Sequence, residues 1–134
     1  MNTLRIGIAG LGRLGRVHAE NIACKIPGAR LTAACTTRPE TLEYARQLGV
    51  TALYTDFNKM LAEAEIDAVA VVTTSSEHCW QIEAALDAGK HVFSEKPLGV
   101  DIAQCLQAQA AVERHPELVF MLGFMRRYDP SYDY

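Results

Sequence analysis

Residues 4–23, LRIGIAGLGRLGRVHAENIA, carry three glycines at the spacing G-x-G-x-x-G between an apolar run and a segment without helix breakers. Gly10 permits a tight turn, Gly12 leaves no side chain between the backbone and a diphosphate, and Gly15 lets a helix lie close to the strand. The helix N-terminus then directs free N–H groups at the phosphates. The stretch therefore predicts a strand-turn-helix unit that binds a dinucleotide.

Segments of strand length and segments of helical period alternate along the whole chain. Six strands are predicted, at Leu4–Ala9, Ala29–Cys35, Ala52–Tyr54, Ala68–Val72, His91–Ser94 and Val119–Gly123. Five helices are predicted between them, at Leu11–Ile26, Pro39–Leu48, Phe57–Ala64, Ser76–Ala88 and Asp101–His115. The run AVAVV at 68–72 is apolar on both faces, as a parallel sheet covered by helices on both sides requires. This alternation predicts a doubly wound α/β parallel sheet in three layers, the Rossmann class.

Individual residues mark the ends of these helices. Pro39 suits a first helical turn, and Gly49 and Gly89 suit the left-handed conformation that follows a helix. Asp101 and Ser76 begin their predicted helices and are expected to cap them.

Length and composition limit the classes of partner. A chain of 134 residues with 49% hydrophobic and 22% charged residues and a net charge of -3 is typical of one globular domain without the basic surplus that nucleic acid or an anionic membrane requires. Neither a membrane span nor a signal peptide is recognisable, so we expect a cytoplasmic protein. The dinucleotide-binding domain is predicted at residues 1–123, and residues 124–134 are expected to begin a linker.

The cysteines show no spacing that indicates a metal site or a disulfide framework. All four are expected to be buried thiols, and no metal is expected: Cys24, Cys35, Cys79 and Cys105.

The residues after the second strand bear on the choice of dinucleotide. An acidic residue there would bind the 2′-hydroxyl of NAD, but the position is occupied by Thr36, followed by Thr37 and Arg38. Two hydroxyls and a guanidinium suit a 2′-phosphate, so NADP is favoured over NAD. The alternative that Arg38 is only solvated and that Glu40 contacts the ribose stays open. The missing acidic residue also argues against FAD and S-adenosylmethionine.

Ligands of open α/β sheets bind beyond the carboxyl ends of the strands, where this chain has TTSSEH, SEKP and GFMRRYDP. The stretch GLGRLGRVHA, the EKP of Glu95, Lys96 and Pro97, and GFMRRYDPSY together resemble the glucose-fructose oxidoreductase and inositol dehydrogenase (Gfo/Idh/MocA) family. The tail is most similar to the inositol 2-dehydrogenases of that family. The resemblance runs from Leu4 to Tyr132 and implies a second α/β domain, outside these residues, that covers the substrate.

The resemblance implies an NAD(P)-dependent dehydrogenase that transfers a hydride between the nicotinamide and a hydroxyl-bearing carbon of a cyclic polyol or sugar. It places Lys96 beside the reacting hydroxyl as the catalytic residue, and Glu95 near the nicotinamide ribose. Its position in the sequence alone, without the resemblance, predicts that Lys96 is a cation at the mouth of the cleft that could bind a hydroxyl oxygen. In the family the proton acceptor is a His of the second domain, so these residues alone are expected to bind cofactor without turnover.

The expected contacts follow from the glycine fingerprint and the resemblance. The residues expected to contact the cofactor are Gly10, Leu11, Gly12, Arg13, Leu14, Gly15, Thr36, Thr37, Arg38, Thr73, Thr74, Ser75, His78, Glu95 and Lys96. Met125 and Arg126 are expected to join Lys96 at the substrate. Neighbours after a strand point to opposite sides, so only one of Arg126 and Arg127 can face the pocket. The alternative of an ion pair between domains stays open for both arginines, and more so for Arg127. His18 is implied to pack beneath the cofactor turn.

Two alternatives remain at this point. The chain could be a regulatory module that senses the nicotinamide pool without chemistry, although the lysine of the EKP motif would be useless to it. It could also belong to a relative that acts on another sugar-type substrate. A homo-oligomer is expected for the full-length protein. Trp80, Tyr44 and Tyr54 show no stacking pattern and are interpreted as packing residues.

Overall fold

The strands and helices alternate throughout the computed structural model, which describes residues 3–132. The strands are β1 (Leu4–Ala9), β2 (Ala29–Cys35), β3 (Ala52–Tyr54), β4 (Ala68–Val71), β5 (His91–Glu95) and β6 (Phe120–Gly123). The α-helices are α1 (Arg13–Cys24), α2 (Leu42–Gln47), α3 (Phe57–Glu63), α4 (Ser75–Asp87) and α5 (Ile102–Arg114). Short 3-10 turns lie at Pro39–Thr41, Met125–Tyr128 and Pro130–Tyr132.

All neighbouring strands pair in parallel, and the sheet order is β3-β2-β1-β4-β5-β6. The order reverses between β1 and β4, where the two halves of a doubly wound sheet meet. One apolar cluster joins α1 and α2 to one face of the sheet, and a second joins α3, α4 and α5 to the other. The predicted fold class and its three layers are therefore confirmed.

The central strand β4 shows why its sequence is apolar throughout. All four of its residues are buried. Val69 and Val71 belong to the cluster beneath α3, α4 and α5, whereas Ala70 belongs to the cluster beneath α1 and α2. Successive side chains of a strand point to opposite faces, so a strand covered by helices on both sides has no position for a polar residue.

Four of the five residues predicted to mark helix ends do so in the structure. Pro39 lies in the first turn of its 3-10 segment, and Asp101 caps α5 by accepting a hydrogen bond from the backbone N–H of Gln104 at 2.8 Å. Gly49 and Gly89 have φ of 86° and 72°, the left-handed conformation expected after a helix.

Other boundaries were predicted wrongly. Ser76 is not a cap, because Thr74 precedes α4, and the N–H of Glu77 already donates to the Thr74 carbonyl at 2.9 Å. The helix α1 is shorter than predicted at both ends. At its start Leu11 is buried beneath the glycine turn, and at its end the N–H groups of Lys25 and Ile26 both donate to the same carbonyl, that of Asn21.

The prediction that all four thiols are buried is wrong for two of them. Cys35 and Cys79 are buried, Cys105 is partly buried, and Cys24 is exposed. Cys24 is the last residue of α1, where the helix leaves the sheet and lies among exposed residues. Apolar composition alone does not say where along a helix contact with the sheet ends.

The amino ends of β1 and β4 are joined by one ion pair. Arg5 donates to Asp67 through Nε at 3.1 Å and Nη2 at 2.7 Å, and its backbone N–H donates to the same carboxylate at 2.8 Å. These hydrogen bonds from Arg5 lower the pKa of Asp67 from 3.8 to about 2. The bidentate geometry holds the two central strands in register at the edge away from the glycine turn.

Asp67→Asn is expected to lower the urea midpoint of the chain at pH 7. Because the folded pKa lies below the unfolded one, Asp67 stabilises the fold above its unfolded pKa, and this contribution is lost as the pH falls toward about 2. The difference between variant and wild type, followed by circular dichroism, should therefore shrink with acidification. Glu65→Gln is the control, since Glu65 meets the same arginine at 3.4 Å but is 90% exposed. An equal loss for both variants at pH 7 would contradict the assignment.

Candidate functional site

A cavity of about 750 Å³ opens at the carboxyl edge of the sheet, where the strand order reverses. Its walls are formed by the residues that follow β1, β2, β3 and β4, together with the start of α4. Of the residues predicted to contact a cofactor, it brings together Gly10, Leu11, Gly12, Arg13, Leu14, Gly15, Thr36, Thr37, Arg38, Thr73 and Thr74. Residues near the sequence start, near position 37 and near position 73 thus share one wall, because parallel strands end at the same edge.

The glycine turn is locked between two strands and a helix. Gly10 has a φ of 93° and donates its N–H to the carbonyl of Cys35 at 2.9 Å. A Cβ at Gly10 would overlap the Val72 carbonyl oxygen and lie 2.7 Å from its carbon. A Cβ at Gly15 would overlap the Gly10 carbonyl oxygen and lie 2.8 Å from its carbon. Neither position has room for a side chain, since each neighbour is backbone.

Gly12 faces open space instead. It precedes α1 with ordinary extended backbone angles, and a Cβ there would meet only Nη2 of Arg38, at 4.0 Å. The first helical hydrogen bond is from the N–H of Arg16 to the Gly12 carbonyl at 3.0 Å, so the preceding N–H groups of the first turn have no helical acceptor. No side chain caps this helix, and its first turn has no acidic residue. The open cradle and its free donors fit a diphosphate group.

The turn after β2 separates buried from exposed hydroxyls. Thr36 is only 8% exposed, and its Oγ1 accepts the N–H of Arg38 at 3.2 Å and lies 3.2 Å from Oγ1 of Thr41. Its hydroxyl therefore organises the turn, whereas Thr37 and Arg38 are exposed. Glu40 is exposed but is not among the residues that line the cavity.

Three arginines converge beside the glycine turn. A smaller cleft of about 360 Å³ is lined by Leu11, Gly12, Arg13, Arg16, Arg38 and Thr41. None of the three cleft arginines forms an ion pair within residues 3–132. The arginines that do are Arg5, Arg46 and Arg114. The guanidinium of Arg16 lies 5.2 Å from the ring centroid of Tyr44, so Tyr44 packs beneath this cleft. The cleft is positively charged and suits an anion.

A second group of predicted residues lies outside the cavity, at the ends of β4 and β5. The His78 ring is 1% exposed, with Nδ1 2.7 Å from the Pro97 carbonyl oxygen and Nε2 3.0 Å from that of Thr73. The ring thereby connects the two strand ends. Lys96 is exposed, and the Lys96–Pro97 peptide bond is cis. A cofactor contact by His78 stays a prediction, as does one by Ser75 at the start of α4.

Met125 and Arg126 lie in an exposed 3-10 turn after β6. The Arg126 guanidinium lies 4.5 Å from the ring centroid of Tyr132, and its Nη1 donates to the Tyr132 hydroxyl. Because this segment is a turn rather than an extended strand, the strand alternation that would separate Arg126 from Arg127 does not apply. The substrate role of Met125 and Arg126 stays a prediction.

Several residues that line the cavity were not predicted from the sequence as cofactor contacts. Trp80, interpreted only as a packing residue, lines the cavity and contacts Phe57 edge to face at 5.4 Å between ring centroids. Its Nε1–H donates to Glu77 at 2.7 Å. The other residues missed are Ala9, Cys35, Thr55, Asp56, Phe57, Asn58, Val72, Glu77 and Gln81. The end of β3 was the available signal, since it lies at the same edge of the sheet.

Cys35 lies in the cavity wall but supplies no nucleophile. Burial raises the pKa of the Cys35 thiol to about 11, so the thiol is uncharged at neutral pH. Within residues 3–132, no cluster of three or more His, Cys, Asp or Glu side chains could hold a metal ion. No helix of these residues is sufficiently long and apolar to span a bilayer.

Gly12→Ala and Gly15→Ala are expected to separate binding from folding. Ala at position 12 has space, so the free energy of unfolding should change by less than about 0.5 kcal/mol, while its methyl group occupies the diphosphate cradle and weakens dinucleotide binding by about tenfold or more. Ala at position 15 collides with backbone and should destabilise the fold by about 2 kcal/mol. Urea unfolding and calorimetric titration measure both effects. Unchanged binding in Gly12→Ala would show that the diphosphate lies elsewhere.

Comparisons with known proteins agree with this geometry. Residues 4–124 match the family described as an oxidoreductase family with an NAD-binding Rossmann fold. The chain is 38% identical to the scyllo-inositol 2-dehydrogenase (NAD(+)) of Bacillus subtilis, over 96% of this chain and 38% of that protein. It is 34% identical to the inositol 2-dehydrogenase/D-chiro-inositol 3-dehydrogenase of Shouchella clausii, over 97% of this chain and 38% of that protein.

A solved structure is similar over nearly the whole chain. It is the scyllo-inositol dehydrogenase of Lactobacillus casei with bound NAD(H) and scyllo-inositol, with a TM-score of 0.95 and 52% sequence identity. The match covers 98% of this chain and 39% of that one, so the chain spans about two fifths of the length of these relatives. The cavity, the glycine turn and these matches agree, and the chain belongs to the Gfo/Idh/MocA oxidoreductase family, whose NAD-binding Rossmann fold it forms.

Proposed function

We propose that the chain is the cofactor-binding domain of an NAD(P)-dependent dehydrogenase that acts on a hydroxyl group of a cyclic polyol or sugar, as inositol 2-dehydrogenases do. The observation that carries the proposal is the uncapped start of α1, where the free N–H groups face a cavity large enough for a dinucleotide. The names of the similar proteins support the inositol class of substrate. Relatives that act on other sugar-type substrates are the second candidate within the family.

The proposal gives each group of residues a task. When bound, the nicotinamide would exchange a hydride with the carbon that bears the hydroxyl. The glycine turn holds the diphosphate, and Lys96, exposed at the end of β5, donates a hydrogen bond to the reacting hydroxyl oxygen. Glu95 lies next to it at the cofactor side, while Met125 and Arg126 contact the substrate. The group that accepts the proton lies in a second domain, outside residues 1–123 and the linker at 124–134.

We further propose that NADP is preferred to NAD. Support comes from the cleft beside Gly12, which three guanidiniums line and which has no carboxylate from residues 3–132. A 2′-phosphate carries the charge that this cleft would neutralise, whereas the 2′-hydroxyl of NAD does not. The similar proteins whose names mention a cofactor are associated with NAD(+) or NAD(H), so the coenzyme has to be tested directly on this chain.

Assembly and location complete the proposal. A homo-oligomer of the full-length protein is supported by apolar side chains exposed on α5 and the edge strand β6, among them Ile102 at 79% and Val119 beside that strand at 63%. The composition and net charge of -3 support a cytoplasmic protein that binds neither nucleic acid nor membrane surfaces.

Titration of the chain with NADPH and with NADH at fixed salt tests the coenzyme. Arg38→Ala should weaken NADPH binding by about 1.5 to 3 kcal/mol, the range for a hydrogen bond to a charged group, and should spare NADH. The matched control is Arg30→Ala, since Arg30 lies near the opposite end of β2 and should leave both affinities unchanged. Equal losses for the two coenzymes would show that Arg38 does not read the phosphate.

Lys96→Ala in the full-length protein tests the enzyme. Turnover should fall by about 100-fold or more while dinucleotide affinity stays nearly unchanged, because the ammonium group acts on the substrate hydroxyl. Lys25→Ala, which removes an exposed lysine paired with Glu20, should keep full turnover. If the wild-type protein binds dinucleotide but turns over no polyol or sugar, the result would favour the alternative function, a regulatory module that senses the nicotinamide pool.

A further inference from the structure

The carboxylate of Glu95 is held at both of its oxygens. Oε1 lies 2.8 Å from Nε2 of His18, and Oε2 accepts the backbone N–H of Lys96 at 3.2 Å. The side chains of Glu95 and His18 are only 14% and 24% exposed. A carboxylate that has lost most of its water depends on such donors. The two contacts restrict the orientation of the Glu95 carboxylate, and one of them joins it to the backbone of Lys96, whose side chain is exposed.

His18 is fixed by more than this contact. Its ring lies tilted by 58° against the Phe93 ring of β5, with 5.3 Å between the ring centroids. From the other side, β6 comes so close that a Cβ at Gly123 would lie 2.9 Å from the Phe93 ring and 3.4 Å from Cδ of Glu95. Helix α1 and strands β5 and β6 thus enclose the histidine, the phenylalanine and the carboxylate together.

The chemistry of the contact fixes the direction of the hydrogen bond. An ionised carboxylate only accepts hydrogen bonds, so the imidazole must carry its proton on Nε2 and donate it to Glu95. A hydrogen bond to a charged group, partly shielded from water, is stronger than one between neutral groups. Without this donor, Glu95 Oε1 would lack its partner inside the protein, and the carboxylate would have to turn toward water or another donor.

The helix that supplies His18 is the one whose first turn forms the dinucleotide cradle. His18 lies one turn after Gly15, and 77 residues separate it from Glu95 in the sequence. We propose that His18 is a positioning residue that, through Glu95, fixes the backbone of Lys96 and so aligns the catalytic lysine with the helix that holds the cofactor diphosphate. The effect on turnover rests on the proposed dehydrogenase function. The alignment of Lys96 with α1 is a property of the folded chain and does not depend on that function.

Two substitutions separate hydrogen bonding from ring packing. His18→Phe keeps a ring against Phe93 and removes the donor, whereas His18→Gln keeps a donor at the position of Nε2 and removes the ring. In the full-length protein, His18→Phe should lower kcat by about tenfold or more with little change in dinucleotide affinity, and His18→Gln should recover most of the loss. Similar losses in both variants, or no loss in His18→Phe, would overturn the proposal.

A second readout does not depend on activity. In 1H–15N NMR spectra of the 134-residue chain, the backbone amide of Lys96 should shift in His18→Phe and stay near its wild-type position in His18→Gln, because its acceptor is the other oxygen of Glu95. Thermal unfolding of each variant checks that the fold is kept. An unmoved Lys96 amide in a folded His18→Phe variant would refute the alignment. If the amide behaves as expected but the wild type binds no dinucleotide, the proposed function fails and the alignment stands.

Discussion

The structure depends on the contact between the backbone of Gly10 and that of Gly15. The helix α1 approaches the turn so closely that a single methyl group at Gly15 would overlap a carbonyl group, and Gly10 is equally confined by the carbonyl of Val72. This approach brings the start of α1 directly over the point where the strand order reverses. The free N–H groups of its first turn consequently face the cavity rather than a neighbouring strand. The proposed contacts to the diphosphate follow from that placement.

The carboxyl edge of the sheet is divided into two regions with different architecture. On one side of β4 lies the open cavity, with backbone donors and the basic cleft beside it. On the other side lies Lys96, which is exposed and is not among the residues that line this cavity. Two histidines connect these regions: His78 ties the ends of β4 and β5 through backbone carbonyls, and His18 reaches from α1 to Glu95. The proposed binding region and the proposed catalytic region are thereby joined by side-chain hydrogen bonds.

Sequence periodicity predicted the sheet well, because burial on one or both faces leaves a direct record in the residue pattern. Three of the six strands have the predicted bounds, and the both-sided burial of β4 follows from its AVAVV sequence. The errors occur where tertiary contacts decide. Ser76 was expected to cap a helix that begins one residue earlier, and Cys24 was expected to be buried at a point where α1 has already left the sheet. Neither the first residue of α4 nor the exposure of Cys24 is decided by neighbouring residues alone.

The sequence by itself determined the fold class, the glycine turn and the strand ends to within one residue, because backbone conformation and burial period are encoded in neighbouring residues. It also identified most of the cavity wall, since parallel strands end at a common edge. Only the tertiary structure decided that Trp80 joins that wall, that three arginines share one cleft, and that His18 meets Glu95. These contacts join side chains from distant elements, and their geometry depends on how closely α1 packs on the sheet, a distance that no local pattern specifies.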